Sequence, residues 1–329
     1  MNRRDTIKAL GAMSAALLPP GVMAGQRRKF ARIAILWNSP TPTVRQEMRQ
    51  ALREVGYIEG ENLAIDTRDA QGHLERLPDL VMELLALKPD VIFTHGAFAF
   101  VHAVKERAGK VPIVFFYAWD PVGTGLVTSL SRPGGNMTGT SGQSNELDAK
   151  RIELLKEVVP GLSRVAALWY MGTAGEGIFR TQLRQTEQAA RPRGIEVASI
   201  AVPLPMDYER AFSRIEDSGA GAVIVFNGPV FENDRQRLGD MALQHRLPTM
   251  FSWAGYVEAS GLISYGADVS DLFQRSVAQV VKILDGANPG DLPVEQPTKF
   301  DLAINLKTAR ALGITIPQSV ILRADEVIQ

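Results

Sequence analysis

Short apolar runs alternate along the chain with longer stretches in which apolar residues recur every three or four positions. In the first half, four runs rich in β-branched and aromatic residues are typical of strands: Ile33–Trp37, Leu63–Thr67, Val91–Thr94 and Val111–Phe116. Amphipathic stretches separate them, and Gly56 and Pro89 mark two of the boundaries. Because strands that alternate with helices pair in parallel, this half predicts a doubly wound α/β sheet.

The alternation begins again near Asn145. Three further strand-like runs are separated by amphipathic stretches: Val165–Trp169, Ile195–Ile200 and Ala222–Phe226. A second α/β unit of similar size is therefore predicted between about 145 and 250, although no sequence repeat relates the two halves. The tail adds strand- and helix-like pieces that neither half needs, so we expect the chain to cross the boundary several times. Several crossings form a hinge, and a hinge between two such units forms a cleft.

These patterns predict two doubly wound, parallel-sheet lobes with a multi-crossover hinge. We expect lobe 1 to comprise residues 30–142 with about 255–290, and lobe 2 residues 143–250 with about 295–329. The small, hydroxyl-rich run Thr138–Gly142 has the composition expected of a flexible connection between the two. A glycine-rich surface loop is the alternative interpretation of that run.

The first 24 residues have the order of an export signal. Arg3, Arg4 and Lys8 precede the apolar run Ala9–Leu18, which is too short to span a bilayer. The paired arginines resemble a twin-arginine signal, but Thr6 and Ile7 depart from its usual pattern, so both export routes stay open. Since the chain has no cysteine, we expect neither a lipid anchor nor disulfides. The export signal, with no other segment apolar enough to cross a membrane, predicts a periplasmic location if the source is a Gram-negative cell.

Composition argues against several functional classes. The 36 basic residues balance the 36 acidic ones, so there is no electrostatic footprint for nucleic acid. The four histidines lack the spacing of a metal motif. Gly123-Thr-Gly125 begins like a dinucleotide fingerprint, but Thr128 stands where the third glycine is needed. We therefore expect no metal and no cofactor, and an enzyme on a doubly wound fold is only an alternative.

Several longer motifs carry a family resemblance. They are Asp120–Val127, Arg132–Gly139, Lys150–Leu155, Tyr256–Gly266, Leu292–Phe300 and Asn305–Gly313. Together they resemble the ABC-transporter substrate-binding proteins of the tryptophan/tyrosine-binding type. The resemblance implies a type I periplasmic-binding-protein fold with three crossovers, a small-molecule solute, an ABC permease of the inner membrane as partner, and a monomer. A protein that presents its ligand to a membrane sensor is the alternative.

Ligand contacts are expected where polar residues follow buried strands, because ligands of open parallel sheets bind at the carboxyl ends of strands. The candidates are Asn38, His95, Gly96, Ala97, Tyr117, Asp120, Thr140, Ser141, Tyr170, Asn227 and Trp253.

Eight of these candidates have a role that an amino-acid ligand would require. Asp120 and Asn227 would accept from its ammonium, and a helix start at Gly96 and Ala97, with Ser141, would bind its carboxylate. Its side chain would stack on Tyr117, Tyr170 or Trp253. Trp119, at the same strand end as Tyr117, would either narrow the pocket or stack on a flat ligand. The alternatives are that Asp120 caps its own turn and that the aromatic residues cover helix packing.

Overall fold

The computed structural model describes residues 29–38, 42–142, 145–172 and 175–329. The expected export signal, residues 1–24, lies outside them. The strands are β1 (Ala31–Trp37), β2 (Leu63–Asp69), β3 (Val91–His95), β4 (Ile113–Ala118), β5 (Met137–Ser141), β6 (Arg164–Met171), β7 (Glu196–Pro203), β8 (Val223–Val225), β9 (Thr249–Phe251), β10 (Ile263–Ala267), β11 (Phe300–Asn305) and β12 (Glu326–Ile328). The helices are α1 (Pro42–Glu54), α2 (Leu77–Ala86), α3 (Phe98–Arg107), α4 (Asn145–Val158), α5 (Glu176–Ala190), α6 (Tyr208–Asp217), α7 (Pro229–Asn233), α8 (Arg235–Gln244), α9 (Ala254–Glu258), α10 (Val269–Leu284), α11 (Leu306–Leu312) and α12 (Gln318–Ile321).

Two sheets form two lobes, as the sequence predicts. The sheet of lobe 1 is parallel, with the strand order β2-β1-β3-β4-β5, and the sheet of lobe 2 has the order β12-β11-β10-β9-β8-β6-β7. Lobe 2 departs from a purely parallel sheet at one place, because β10 and β11 run antiparallel. In the described part of the chain, no helix is both long and apolar enough to cross a membrane.

Both faces of the first sheet are covered, which explains the continuous apolar runs of its strands. Ala34 and Leu36 of β1 pack in the cluster that contains residues of α2 and α3. Their neighbours Ile33 and Ile35 point to the other face, into the cluster formed with α1 and α10. Alternate side chains of one strand thus bury on opposite faces, as expected for a central parallel strand.

Most of the run Thr138–Gly142 is neither a flexible connection nor a surface loop. Its residues up to Ser141 belong to the fully buried edge strand β5, Met137–Ser141. Hydrogen bonds from distant residues satisfy its hydroxyls. Thr138 donates to the carbonyl of Leu292 over 2.8 Å, and the Thr140 hydroxyl lies 3.0 Å from that of Ser276 on α10. Only beyond Ser141 does the chain leave lobe 1.

The C-terminal segments cross between the lobes at different points from those expected. Residues 255–290 do not belong to lobe 1 as a unit, because β10 pairs with β9 inside the second sheet. Only α10 returns to lobe 1, where Leu272, Phe273 and Val277 join its core. Glu295 also pairs with β5, since its amide donates to Gly139 and its carbonyl accepts from Ser141. The described chain therefore crosses three times, after β5, after β10 and before β11.

Candidate functional site

The carboxyl ends of strands from both lobes face each other. Asn38 follows β1 and is buried, and its side-chain amide donates to the carbonyl of Pro229 in lobe 2 over 2.9 Å. The Asn38 oxygen accepts from the amide of Gly72 over 2.8 Å. One asparagine therefore joins a loop of lobe 1 to the start of α7, and the lobes are in contact at this point.

His95, at the end of β3, makes a second contact between the lobes. Its Nδ1 accepts from the amide of Ala97 over 3.2 Å, so the proton of the neutral ring is on Nε2. Nε2 lies 3.3 Å from Oε2 of Glu232 on α7. The Ala97 amide, which the sequence suggested for a ligand carboxylate, is thus used to orient His95.

Glu232 is a residue of the cleft that the sequence reasoning missed. Asn227 donates to its other oxygen over 3.1 Å, and Tyr256 donates to the Asn227 oxygen over 2.9 Å. Burial alone would raise the pKa of Glu232, but electrostatic interaction with His95 and the hydrogen bonds from His95, Asn227 and Asn38 lower it on balance. The carboxylate therefore stays ionised in a largely buried position.

A glycine is required between His95 and Ala97. A Cβ atom on Gly96 would lie 2.1 Å from the carbonyl oxygen of Phe116 and 2.4 Å from the amide nitrogen of Ala118. The end of β3 passes so close to β4 that no side chain fits between them. Gly96 thus brings the segment after β3 next to the segment after β4.

Between the lobes lies a cavity of about 300 Å³, which we call the main cavity. Phe98, Trp119 and Asp120 line it from lobe 1, whereas Gly177, Ile178 and Thr181 of α5 line it from lobe 2. The indole N–H of Trp119 is buried and has no hydrogen-bond partner among the described residues. An unsatisfied donor on an aromatic wall favours a ligand that carries both a flat apolar part and an acceptor.

A smaller cavity of about 70 Å³ adjoins the main one and shares Phe98, Trp119 and Ile178 with it. It also reaches Ala97, Tyr170 and Asn227. The Tyr170 ring packs edge-on against Phe179, with ring centroids 4.8 Å apart, and burial raises the pKa of its hydroxyl. Aromatic side chains from both lobes therefore surround this part of the cleft.

Asp120 combines the two roles that the sequence left open. It lines the main cavity, and its Oδ1 also accepts from the amide of Gly123 over 2.9 Å. Its backbone has a φ of +41°, and its carbonyl accepts from the Thr124 hydroxyl over 2.7 Å. Asp120 thus caps its own turn while its carboxylate faces the cleft.

Besides Trp253, six sequence-predicted residues do not line these two cavities. Asn38, His95 and Gly96 make the contacts described above, and the other three lie elsewhere in lobe 1. Thr140 is buried in lobe 1, where its hydroxyl accepts from the amide of Tyr117 over 3.0 Å. Ser141 is buried beside it and donates its amide to Glu295 over 2.8 Å. The ring of Tyr117 packs against Phe116 and over Gly142, and burial raises the pKa of its hydroxyl.

Trp253 lies elsewhere, in a separate cavity of about 350 Å³ beside the crossovers, which we call the crossover cavity. Phe116 and Phe273 line it as well. The sequence therefore located a set of strand ends that the structure divides between two places. Within the described ranges, no three His, Asp or Glu side chains are grouped so that they could hold a metal ion.

Of the two cleft residues Glu232 and Trp119, the sequence reasoning missed Glu232 and named Trp119. Glu232 lies in the first turn of α7, seven positions after the end of β8, and Trp119 directly follows β4. Position after a buried strand was a sufficient signal for Trp119. For Glu232 no local signal exists, because its significance depends on His95 in the other lobe.

Comparisons with known proteins agree with this architecture. The chain is 26% identical over 271 residues to the tyrosine-binding protein of Clostridioides difficile (strain R20291), covering 80% of this chain and 75% of that one. It superposes on a conserved domain protein of Vibrio cholerae with a TM-score of 0.83 at 28% identity, covering 91% of this chain and 100% of that one. It also superposes on an ABC domain of Streptococcus pneumoniae in complex with L-Trp, with a TM-score of 0.81 at 26% identity, covering 91% and 99%.

A family model described as ABC transporter substrate binding protein matches residues 33–328, which is nearly all of the described chain. The two solved structures named above share the α/β architecture of two lobes. The chain belongs to the family of ABC transporter substrate-binding proteins.

Proposed function

We propose that this protein captures an aromatic or apolar amino acid, or a related small acid, in the main cavity and delivers it to an ABC importer. The observation that carries the proposal is the cavity itself, with Phe98 and Trp119 on one lobe and Ile178 on the other. A flat side chain would stack between them, because aromatic pairs gain about 0.5–1.5 kcal/mol beyond area burial.

The polar groups fit the two ends of an amino acid. Asp120 would attract the ammonium, and the free indole N–H of Trp119 would donate to a carboxylate oxygen. Asn227 lines the adjoining small cavity and adds a neutral polar group. Relatives support the same class of ligand, since one is a tyrosine-binding protein and another was solved with L-Trp.

The importer role implies a monomer in the periplasm and a permease in the inner membrane. In this proposal the three crossovers act as the hinge, and bound solute holds the lobes together through contacts to both. Small-angle scattering of the mature protein, with and without saturating ligand, would then show compaction. Uptake of labelled solute by cells with and without the gene tests the role in transport.

A thermal-shift screen tests the ligand class. L-Trp, L-Tyr, L-Phe and L-Leu are compared with glucose and ribose, because a ligand at 100 times its Kd stabilises by about 2.7 kcal/mol. Trp119→Ala should abolish the shift, whereas Met82→Ala, at an exposed position of α2, should leave it intact. A response to the sugars alone would overturn the proposal.

A further inference from the structure

The crossover cavity has a different chemistry from the main cavity. It lies where the end of β4 in lobe 1 meets the ends of β9 and β10 in lobe 2. Three aromatic side chains form its walls, namely Phe116, Trp253 and Phe273. It has no lining residue in common with the main cavity.

Four carboxylates from different elements line the crossover cavity. They are Glu47 on α1, Glu258 on α9, Asp268 between β10 and α10, and Asp301 on β11. No lysine or arginine is among its described lining residues. An acidic cavity with aromatic walls creates a negative potential that favours a cation.

Asp301 is both partly buried and close to other carboxylates. Burial, and then the neighbouring Asp268, Asp325 and Glu326, raise its pKa to about 6, while Lys299 partly opposes the shift. A positive charge that binds next to such a carboxylate would stabilise its ionised form.

A second and independent observation comes from Ser252. This residue lines the cavity and is only 6% exposed, and its hydroxyl has no hydrogen-bond partner in the described part of the chain. A buried hydroxyl without a partner is unfavourable. An N–H donor inside the cavity would satisfy it.

We propose that the crossover cavity binds a small organic cation, a primary amine or diamine, independently of the solute in the main cavity. Asp268 and Asp301 bind the ammonium, and the Ser252 hydroxyl accepts a hydrogen bond from it. The methylene chain packs on Phe116, Trp253 and Phe273. A bare metal ion fits less well, because the carboxylates of the described chain are not grouped closely enough to form a metal site. This inference goes beyond the proposed function and does not depend on it.

Calorimetric titration of the mature protein with 1,4-diaminobutane at pH 7.5 tests the proposal. Saturable one-to-one binding is expected, with none for the neutral 1,4-butanediol. Asp301→Asn and Asp268→Asn should each raise the Kd at least about tenfold, since each removes one charge-assisted contact. Asp268→Asn keeps an oxygen that can accept from the Asp271 amide at the start of α10, so folding is preserved.

Two controls separate a site from general attraction to negative charge. Asp217→Asn, at an exposed position on α6, changes the net charge equally and should leave the Kd unchanged. Trp119→Ala removes the main cavity's wall and should also leave diamine binding unchanged. Absence of diamine binding by the unaltered protein, or an equal Kd in all variants, would overturn the proposal.

Proton release supplies an independent readout. At pH 6, close to the pKa of Asp301, binding of the diamine should release about half a proton. Titrations in two buffers of different ionisation enthalpy measure this number. Asp301→Asn should abolish the release, and a release unchanged in this variant would contradict the assigned role of Asp301.

Discussion

The Nε2 atom of His95 lies 3.3 Å from Oε2 of Glu232, so a strand end of lobe 1 is paired with a carboxylate of lobe 2. Both side chains are largely buried, with 13% and 14% of their surface exposed. Pairing at this depth is protected from solvent screening, unlike an ordinary surface ion pair. The contact therefore stabilises the arrangement in which the two lobes lie close together.

Replacement of Glu232 by Gln should weaken this contact. The pKa of Glu232 is lowered in the folded protein, so its contribution is present above the ordinary glutamate range and is lost as the pH falls through the lowered pKa. We expect Glu232→Gln to reduce the free energy of unfolding by about 2 kcal/mol at pH 7 and to have a progressively smaller effect as the pH falls below the ordinary glutamate range. Thermal melts across this range provide the measurement.

The matched control for that variant is Glu216→Gln. Glu216 pairs with His245 over 2.6 Å but is itself 52% exposed, and both residues lie in lobe 2. Exposed pairs contribute about 0–1 kcal/mol, so this variant should melt almost like the unaltered protein. Equal losses in the two variants would contradict the special role of the contact between the lobes.

Two substitutions of Asp120 separate its charge from its capping role. Asp120→Asn keeps an oxygen for the Gly123 amide, so the melting temperature without ligand should change little. Loss of the charge should weaken binding of a zwitterionic solute by about 2–5 kcal/mol, at least about 30-fold. Asp120→Ala should in addition lower stability without ligand by about 1 kcal/mol. Unchanged solute affinity in Asp120→Asn would remove the carboxylate from the binding site.

The pair formed by Asp148 and Arg151 is the most deeply buried ion pair described, with a distance of 2.9 Å and exposed fractions of 5% and 2%. Arg151 also donates to the carbonyl of Tyr265 over 2.8 Å. Asp148→Ala leaves the guanidinium buried without its carboxylate, which should cost about 3–5 kcal/mol in urea unfolding. A double variant, Asp148→Leu with Arg151→Met, should be less destabilised than Asp148→Ala. A double variant of lower stability would show that the pair itself is net stabilising.

Asp301 predicts the opposite dependence on pH from Glu232. Its pKa is raised to about 6, chiefly by burial. The contribution of Asp301 to stability is therefore fully present below about pH 4, the pKa of an aspartate in the unfolded chain, and is lost as the pH rises through 6. Asp301→Asn should therefore raise the melting temperature at pH 8 and have a much smaller effect at pH 4. Asp217→Asn should show no such difference between the two pH values. A gain for Asp301→Asn that is equal at both pH values would refute this origin.

The sequence predicted the central strands well because strands that are buried on both faces consist almost entirely of apolar residues. Val91–Thr94 and Ile33–Trp37 lie within β3 and β1, where both faces are covered and each position is apolar or small. The cleft was located by the same logic, since a change to polar residues marks where a buried strand ends. Of the five predicted site residues that line the described cavities, Ala97, Asp120, Asn227 and Trp253 follow strands in this way, and Tyr170 lies near the end of β6.

The errors have a different physical origin. Thr138 and Thr140 are polar, and the residues that satisfy their hydroxyls are Leu292 and Ser276, more than 130 positions away. No local pattern can distinguish such a buried edge strand from a loop. The partnership of Glu232 with His95 is equally invisible, because 137 positions separate them and neither residue has a motif.

Helix α10 also determines the order in which the protein can fold. Only four α-helices and β-strands follow it in the described chain, yet Phe273 packs edge-on against Phe93 and Phe116 of the first sheet. A nascent chain that ends before Val269 would leave this aromatic face of lobe 1 open to water. Lobe 1 is synthesised first, but it cannot complete its core until α10 has been synthesised. For the same reason, a single cut in the gene cannot release either lobe as an autonomous unit.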